Sequence, residues 1–218
     1  MSLQKLLFQT ERNFIELVID LTICYVLENT LYINLTNRCT NRCTFCVRDK
    51  DCGIGDVNLW LEREPTSDEI KEDIKKFNPE KFTETVFCGY GEPTMRLDVL
   101  LDVAKFIKEN YKVKLRINTN GQANLYYKEN ITPKLSGLID CVSISLNAKN
   151  EDEYDELCKS IYGKESFNAL IDFAKECTKY VPEVIMSVVD ILPKEDIEEC
   201  RKIAESAGAR LRVRELIE

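Results

Sequence analysis

Three cysteines, Cys39, Cys43 and Cys46, fall within the eight-residue run CTNRCTFC at CxxxCxxC spacing. Thiolates that close together in one loop can face a single point, as a metal centre requires. Four ligands would close a structural zinc site or an ordinary iron–sulfur site. Three leave a coordination position open, and an open position marks a reactive metal, as it does for catalytic zinc. Two plainer readings stand beside this one: a chance grouping of thiols, or a zinc site closed by a distant fourth cysteine. The chain has no histidine, which removes His-ligated zinc, Ser-His-Asp triads and imidazole acid–base chemistry.

The cysteines follow an alternating, strand-like stretch, Leu31-Tyr32-Ile33-Asn34-Leu35-Thr36. Together they resemble the signature of the radical S-adenosylmethionine (radical SAM) superfamily. The resemblance implies that Cys39, Cys43 and Cys46 bind three irons of a four-iron, four-sulfur cluster. The amino and carboxylate groups of S-adenosylmethionine would then chelate the fourth. Phe45 stands where that family usually carries an aromatic, just before the third cysteine. The longer run LYINLTNRCTNRCTFCVRD, with NLWLEREPT shortly after it, is similar to one subgroup, the TatD-associated radical SAM proteins.

Further candidates lie where predicted strands end. Gly89-Tyr90-Gly91-Glu92-Pro93 is a turn whose glycines let backbone approach a ligand with no Cβ in the way. It resembles the family's Gly-Gly-Glu-Pro segment, which receives the methionine amino group, with Tyr90 replacing the first glycine. Tyr90, Gly91 and Glu92 are therefore expected at the methionine end. Asn118 and Ser145 match family positions that hold ribose or methionine groups, and both side chains donate and accept hydrogen bonds. Asn120 and Asn147 are second choices, Asn120-Gly121 being equally a plain turn. Asp190 is expected near adenine or as the cap of a helix opening near Pro193. Arg48, Asp49 and Lys50 reach either substrate or solvent.

Those residues need a scaffold. Thr10 can cap an amphipathic helix over 11–21, and residues 1–21 are read as an N-terminal helical extension on a domain of residues 22–218. Residues 23–27 form a strand turning through Glu28-Asn29-Thr30 into the next. Thr66 and Glu69 make a capping box for a helix carrying Ile70, Ile74 and Phe77 inward. Strands at 85–88, 113–118, 141–146, 184–189 and 211–215 alternate with helices. Six strand–helix units imply a parallel sheet with helices outside, an α/β fold. Eight units would close a barrel; six suggest a laterally open, six-stranded partial TIM-like barrel, (β/α)6, the fold the resemblance also implies.

Composition narrows the function. A net charge of −8 over 218 residues argues against general nucleic-acid or membrane-surface binding. Ten cysteines with no secretory signal read as thiols of a reducing cytoplasm. Cys24, Cys141, Cys158, Cys177 and Cys200 fit core positions, whereas Cys52 and Cys88 flank the candidate site. No second CxxC-type group suggests another cluster. The resemblance implies an oxygen-sensitive enzyme that cleaves S-adenosylmethionine reductively and abstracts hydrogen from an unidentified small-molecule or peptide substrate. A flavodoxin- or ferredoxin-type protein would supply the electron. The rivals are a glycyl-radical activase acting on a partner protein, and a synthase like those of deazapurine carboxylates. The last rival is an iron–sulfur electron carrier, which would normally supply four cysteines. Against the synthase, Val47-Arg48 follows the third cysteine where those enzymes carry Asp-Thr.

Overall fold

A computed structural model of the chain describes residues 22–49 and 57–216. The expected extension over residues 1–21, Lys50 and Cys52 lie outside the described residues. Seven strands form one sheet in chain order: β1 (Cys24–Leu27), β2 (Thr30–Ile33), β3 (Glu84–Phe87), β4 (Lys114–Thr119), β5 (Cys141–Ser145), β6 (Glu183–Val189) and β7 (Arg210–Arg214). From β2 to β7 every pairing is parallel, and β1 and β7 are the outermost strands among the described residues. This is the open partial barrel expected from the strand–helix count. One strand joins beyond those six. The short Glu28-Asn29 turn returns the chain beside β1, so β1 pairs antiparallel with β2.

The two faces of the sheet follow from the period-two alternation of a strand. Ile33, Phe87, Ile117, Val142 and Val184 are direct cross-strand neighbours and all belong to the main apolar core. The helices pack on that side: α1 (Ser67–Phe77), α2 (Leu97–Asn110), α3 (Ala123–Tyr127), α4 (Glu151–Cys158), α5 (Glu165–Cys177) and α6 (Lys194–Ser206). Each presents an apolar stripe at helical spacing, such as Leu97, Leu100, Val103, Ala104 and Ile107 of α2. The alternate residues, including Cys88, Asn118, Ser143, Ser145 and Ser187, are left for the inner face. The capping box opens α1 as expected, Thr66 Oγ1 accepting from Glu69 N while Glu69 Oε2 accepts from Thr66 N. Among the described residues no helix is long and apolar enough to cross a membrane.

Gly121 makes the exit from β4 possible. Its φ of +76° is left-handed, and a Cβ there would stand 2.9 Å from both Ile144 Cγ2 and Leu170 Cβ. Both features exclude a side chain. Gly121→Ala is therefore expected to destabilise the fold by roughly 1–3 kcal/mol, read as a lower urea midpoint with an unchanged slope.

Candidate functional site

The cysteine loop is fixed from beneath by a helix terminus and by a buried polar network. The last carbonyls of a helix have no partner inside it. Here Arg42 N donates to Cys158 O at 2.9 Å and Thr44 N to Leu157 O at 2.8 Å, so the loop caps the end of α4. Gln122 is the centre of the network: its Oε1 accepts from Thr40 Oγ1 (2.8 Å) and Ser160 Oγ (3.0 Å), and its Nε2 donates to Asn41 Oδ1 (2.9 Å) and Tyr154 OH (3.1 Å). Asn120 Nδ2 donates to Thr40 Oγ1 at 2.8 Å. Thr40, Asn41, Gln122 and Tyr154 are all buried, where a satisfied network rigidifies its surroundings. None of these four was expected at the site from sequence. Asn41 and Thr40 were nonetheless findable as the polar residues between the cysteines.

Glu92 holds the opposite side of the loop. Its carboxylate accepts from Thr94 N (3.0 Å), Thr94 Oγ1 (2.6 Å), Thr119 Oγ1 (2.8 Å) and Asn120 N (2.7 Å), and its own N–H donates to Arg38 O at 2.8 Å. Burial pushes this carboxyl group up from the ordinary carboxylate range, against the pull of its four donors. With both oxygens engaged by the protein, Glu92 positions the ends of β4 and of the cysteine loop while lining the cavity. A Cβ on Gly91 would lie 2.2 Å from Thr36 O and 2.6 Å from Arg38 O, so glycine is required for the protein's own backbone to pass at the root of the loop.

Above these supports is a cavity of about 220 Å³, lined by Cys39, Cys43 and Cys46 together with Phe45, Cys88 and Gly91, and by polar residues of the inner face. Asn118, Asn120, Ser145 and Asn147 line it, as does Glu92. Asn118 Oδ1 and Asn147 Oδ1 are buried without a partner in the protein. Asn147 adopts a left-handed φ of 59°, and its Nδ2 donates to Cys158 Sγ. Two expected residues are elsewhere. Tyr90 packs with Tyr25 and Leu59 in a separate apolar cluster, its ring edge-on to Trp60 at 5.2 Å. Asp190 is exposed and its carboxylate accepts from Leu216 N at 2.9 Å. It ties the chain after β7 to the end of β6 and does not cap α6, whose N-cap is Pro193. Cys158, expected as core, is buried in the main apolar cluster and its thiol accepts from Asn147 Nδ2. Arg212, Arg214, Ser143 and Ser187 also line the cavity. Their signal was the alternation along RLRVR, CVSIS and EVIMSVV.

Burial, with the Glu92 carboxyl next, pushes the Cys39 thiol up to about 12, so a thiolate at this position needs a cationic metal beside it. Among the described residues no group of three or more Cys, Asp or Glu is drawn together around a single point.

The radical SAM superfamily model matches residues 33–207, from the end of β2 to just past α6. The chain belongs to the radical SAM superfamily. It is 29% identical over 188 residues to a probable GTP 3',8-cyclase of Thermococcus kodakarensis, covering 85% of this chain and 56% of that protein. It is 30% identical over 190 residues to a Methanocaldococcus jannaschii protein whose name assigns it to glycyl-radical enzyme activation, covering 85% of this chain and 72% of that one. This chain thus spans little more than half the length of the first relative. Two solved structures share the fold. A radical SAM methyltransferase from Sphaerobacter thermophilus superposes with TM-score 0.63 at 16% identity, over 88% of this chain and 57% of that one. Streptococcus suis SuiB bound to S-adenosylmethionine superposes with TM-score 0.65 at 19% identity, over 88% and 40%.

The cofactors of the radical SAM superfamily are a four-iron, four-sulfur cluster and S-adenosylmethionine. This chain's residues suit both. Soft thiol ligands from one loop match an iron–sulfur cluster. The orphaned Asn118 and Asn147 carbonyl oxygens offer buried acceptors to ribose hydroxyls or an ammonium group.

Two substitutions separate support from ligation. Gly91→Ala should move the root of the loop and lower cluster iron content after anaerobic reconstitution, not merely weaken a ligand. Glu92→Gln should leave an amide N–H facing a buried donor and cost roughly 1–3 kcal/mol of stability, measured by urea denaturation of the same preparations.

Proposed function

We propose that this chain holds one four-iron, four-sulfur cluster through Cys39, Cys43 and Cys46 and binds S-adenosylmethionine across the adjoining cavity. When bound, this pair supplies reductive cleavage of S-adenosylmethionine to methionine and a 5′-deoxyadenosyl radical, which takes a hydrogen atom from a substrate. The chain's own residues would bind and orient. Phe45 and the main chain at Gly91 border the methionine end, Asn118 and Ser145 accept and donate to the nucleoside, and Asn147 and Asn120 stand behind them. The observation that carries the reading is the convergence on one cavity of three thiols from one loop and two unpartnered amide oxygens. Neither an electron carrier nor a structural module has a use for those oxygens. The resemblance to the TatD-associated subgroup rests on the LYINLTNRCTNRCTFCVRD and NLWLEREPT runs alone.

A second reading has support of its own. The Methanocaldococcus relative is named for glycyl-radical enzyme activation, and β7, the outermost strand among the described residues, leaves a side through which a partner's loop could enter. In either reading a flavodoxin- or ferredoxin-type donor would deliver the electron.

Reconstituted and reduced under anaerobic conditions, the protein should carry about four irons per chain. S-adenosylmethionine should alter the electron paramagnetic resonance spectrum of the reduced cluster, and 5′-deoxyadenosine should accumulate slowly without substrate. Alanine at Cys39, Cys43 or Cys46 should abolish all three signals while the far-ultraviolet circular dichroism stays near wild type. An unaltered spectrum together with no 5′-deoxyadenosine would return the protein to the electron-carrier class.

A further inference from the structure

The inner face of the sheet carries four arginines: Arg116 on β4 and Arg210, Arg212 and Arg214 at alternate positions of β7. Two have carboxylate partners at the N-terminal ends of the strands. Arg116 Nη2 donates to Glu84 Oε1 at 2.7 Å, and Arg210 Nη2 donates to Glu183 Oε1 at 2.8 Å. The other two, higher on β7, have no ion pair among the described residues. Arg212 and Arg214 both line the cavity, and the Nε of each is buried without a hydrogen-bond partner in the protein. Glu215 lines the same cavity yet forms no salt bridge with either. Both side chains are half-buried, and that partial burial, with the nearby Arg116 charge adding to it, lowers the hold of both guanidinium groups on their protons; arginine nevertheless stays charged.

A buried donor with no partner is costly, and the two unpartnered Nε groups call for an acceptor from outside the chain. The register shows what surrounds them. Ser145, Ser187 and Arg212 are successive cross-strand neighbours on β5, β6 and β7, and Arg214 is the next inward residue beyond Arg212, opposite Val189. The row therefore offers two hydroxyl groups followed by two guanidinium groups. Guanidinium forks match the paired oxygens of carboxylate and phosphate, and serine hydroxyls can donate to the same anion.

The geometry points to Arg212 and Arg214 as the binding site for a carboxylate or phosphate group of the substrate, with Ser187 beside them. This makes the substrate an anion, and it rests on the radical SAM reading only for calling that ligand the substrate. The arginines would anchor its charged end at the β7 edge, leaving its remainder to extend across the cavity toward the cysteine loop.

The test uses full-length, cluster-reconstituted protein under anaerobic conditions, with inorganic phosphate and malonate as probes in titration calorimetry against matched sodium chloride. Wild-type protein should bind at least one probe. Arg212→Gln and Arg214→Gln should each weaken that binding about tenfold, the double substitution should remove it, and Arg210→Gln on the same strand should leave it unchanged. The preferred probe tells a phosphate site from a carboxylate site. S-adenosylmethionine affinity and its effect on the cluster spectrum should stay within about twofold of wild type in all variants. Wild-type protein that binds neither anion, or a double variant that binds as well as wild type, overturns the assignment. So does a loss of S-adenosylmethionine affinity matching the loss of anion binding, since the arginines would then hold the methionine carboxylate. Anion binding that follows the arginines in a protein that takes no S-adenosylmethionine would retain the anion site and remove the radical SAM reading instead.

Discussion

A single buried carboxylate does most of the joining in this fold. Glu92 takes four hydrogen bonds, two from Thr94 and one each from Thr119 and Asn120, while its amide holds the Arg38 carbonyl. Those partners belong to three separate stretches: the turn after β3, the end of β4 and the entrance to the cysteine loop. A carboxylate removed from water must have its lone pairs filled. The energetic demand of one side chain therefore fixes the spacing of three segments that all border the cavity. Gly91, beside it, meets a steric demand at the same crossing, since only a residue without a Cβ lets the chain pass the carbonyls of Thr36 and Arg38.

The loop is consequently held on both flanks. Glu92 and Asn120 grip it from the strand side. The carbonyls of Leu157 and Cys158, left over at the end of α4, grip it from the helix side through Arg42 and Thr44. Gln122 and Tyr154 fill the space between. The backbone that carries the three thiols is thus held chiefly by hydrogen bonds made by other residues of the loop. That arrangement suits a site that must keep its shape while a reactive group occupies it.

Much of this was legible in the sequence, and the parts that were not share a cause. Strand and helix order followed from periodicity because each element buries one face. Asn118 and Ser145 line the cavity because alternation along a strand decides which way a residue points. Tyr90 and Asp190 lie past the ends of strands, where no period applies. Tyr90 is drawn away by Tyr25, Leu59 and Trp60, and Asp190 by the backbone of Leu216; both partners are distant in sequence. Glu92 was found, but its task depends on Thr119 and Asn120, 27 and 28 residues away. The alternating arginines of β7 were visible but unread, because a charged strand looks like a solvated edge until its neighbours are known.

The order of the sheet bears on how the chain is made. Every strand neighbours the one before it, so the sheet can grow from its N-terminal side as residues leave the ribosome, which adds roughly 5–20 residues per second. The three thiols emerge early, ahead of the partners that shape their loop. Thr40 waits for Gln122, and Arg42 and Thr44 wait for Cys158 and Leu157. For several seconds of synthesis the cysteines are present without a formed binding loop. The loop that carries the thiols is therefore complete only once α4 has been translated, more than a hundred residues after the last of the three.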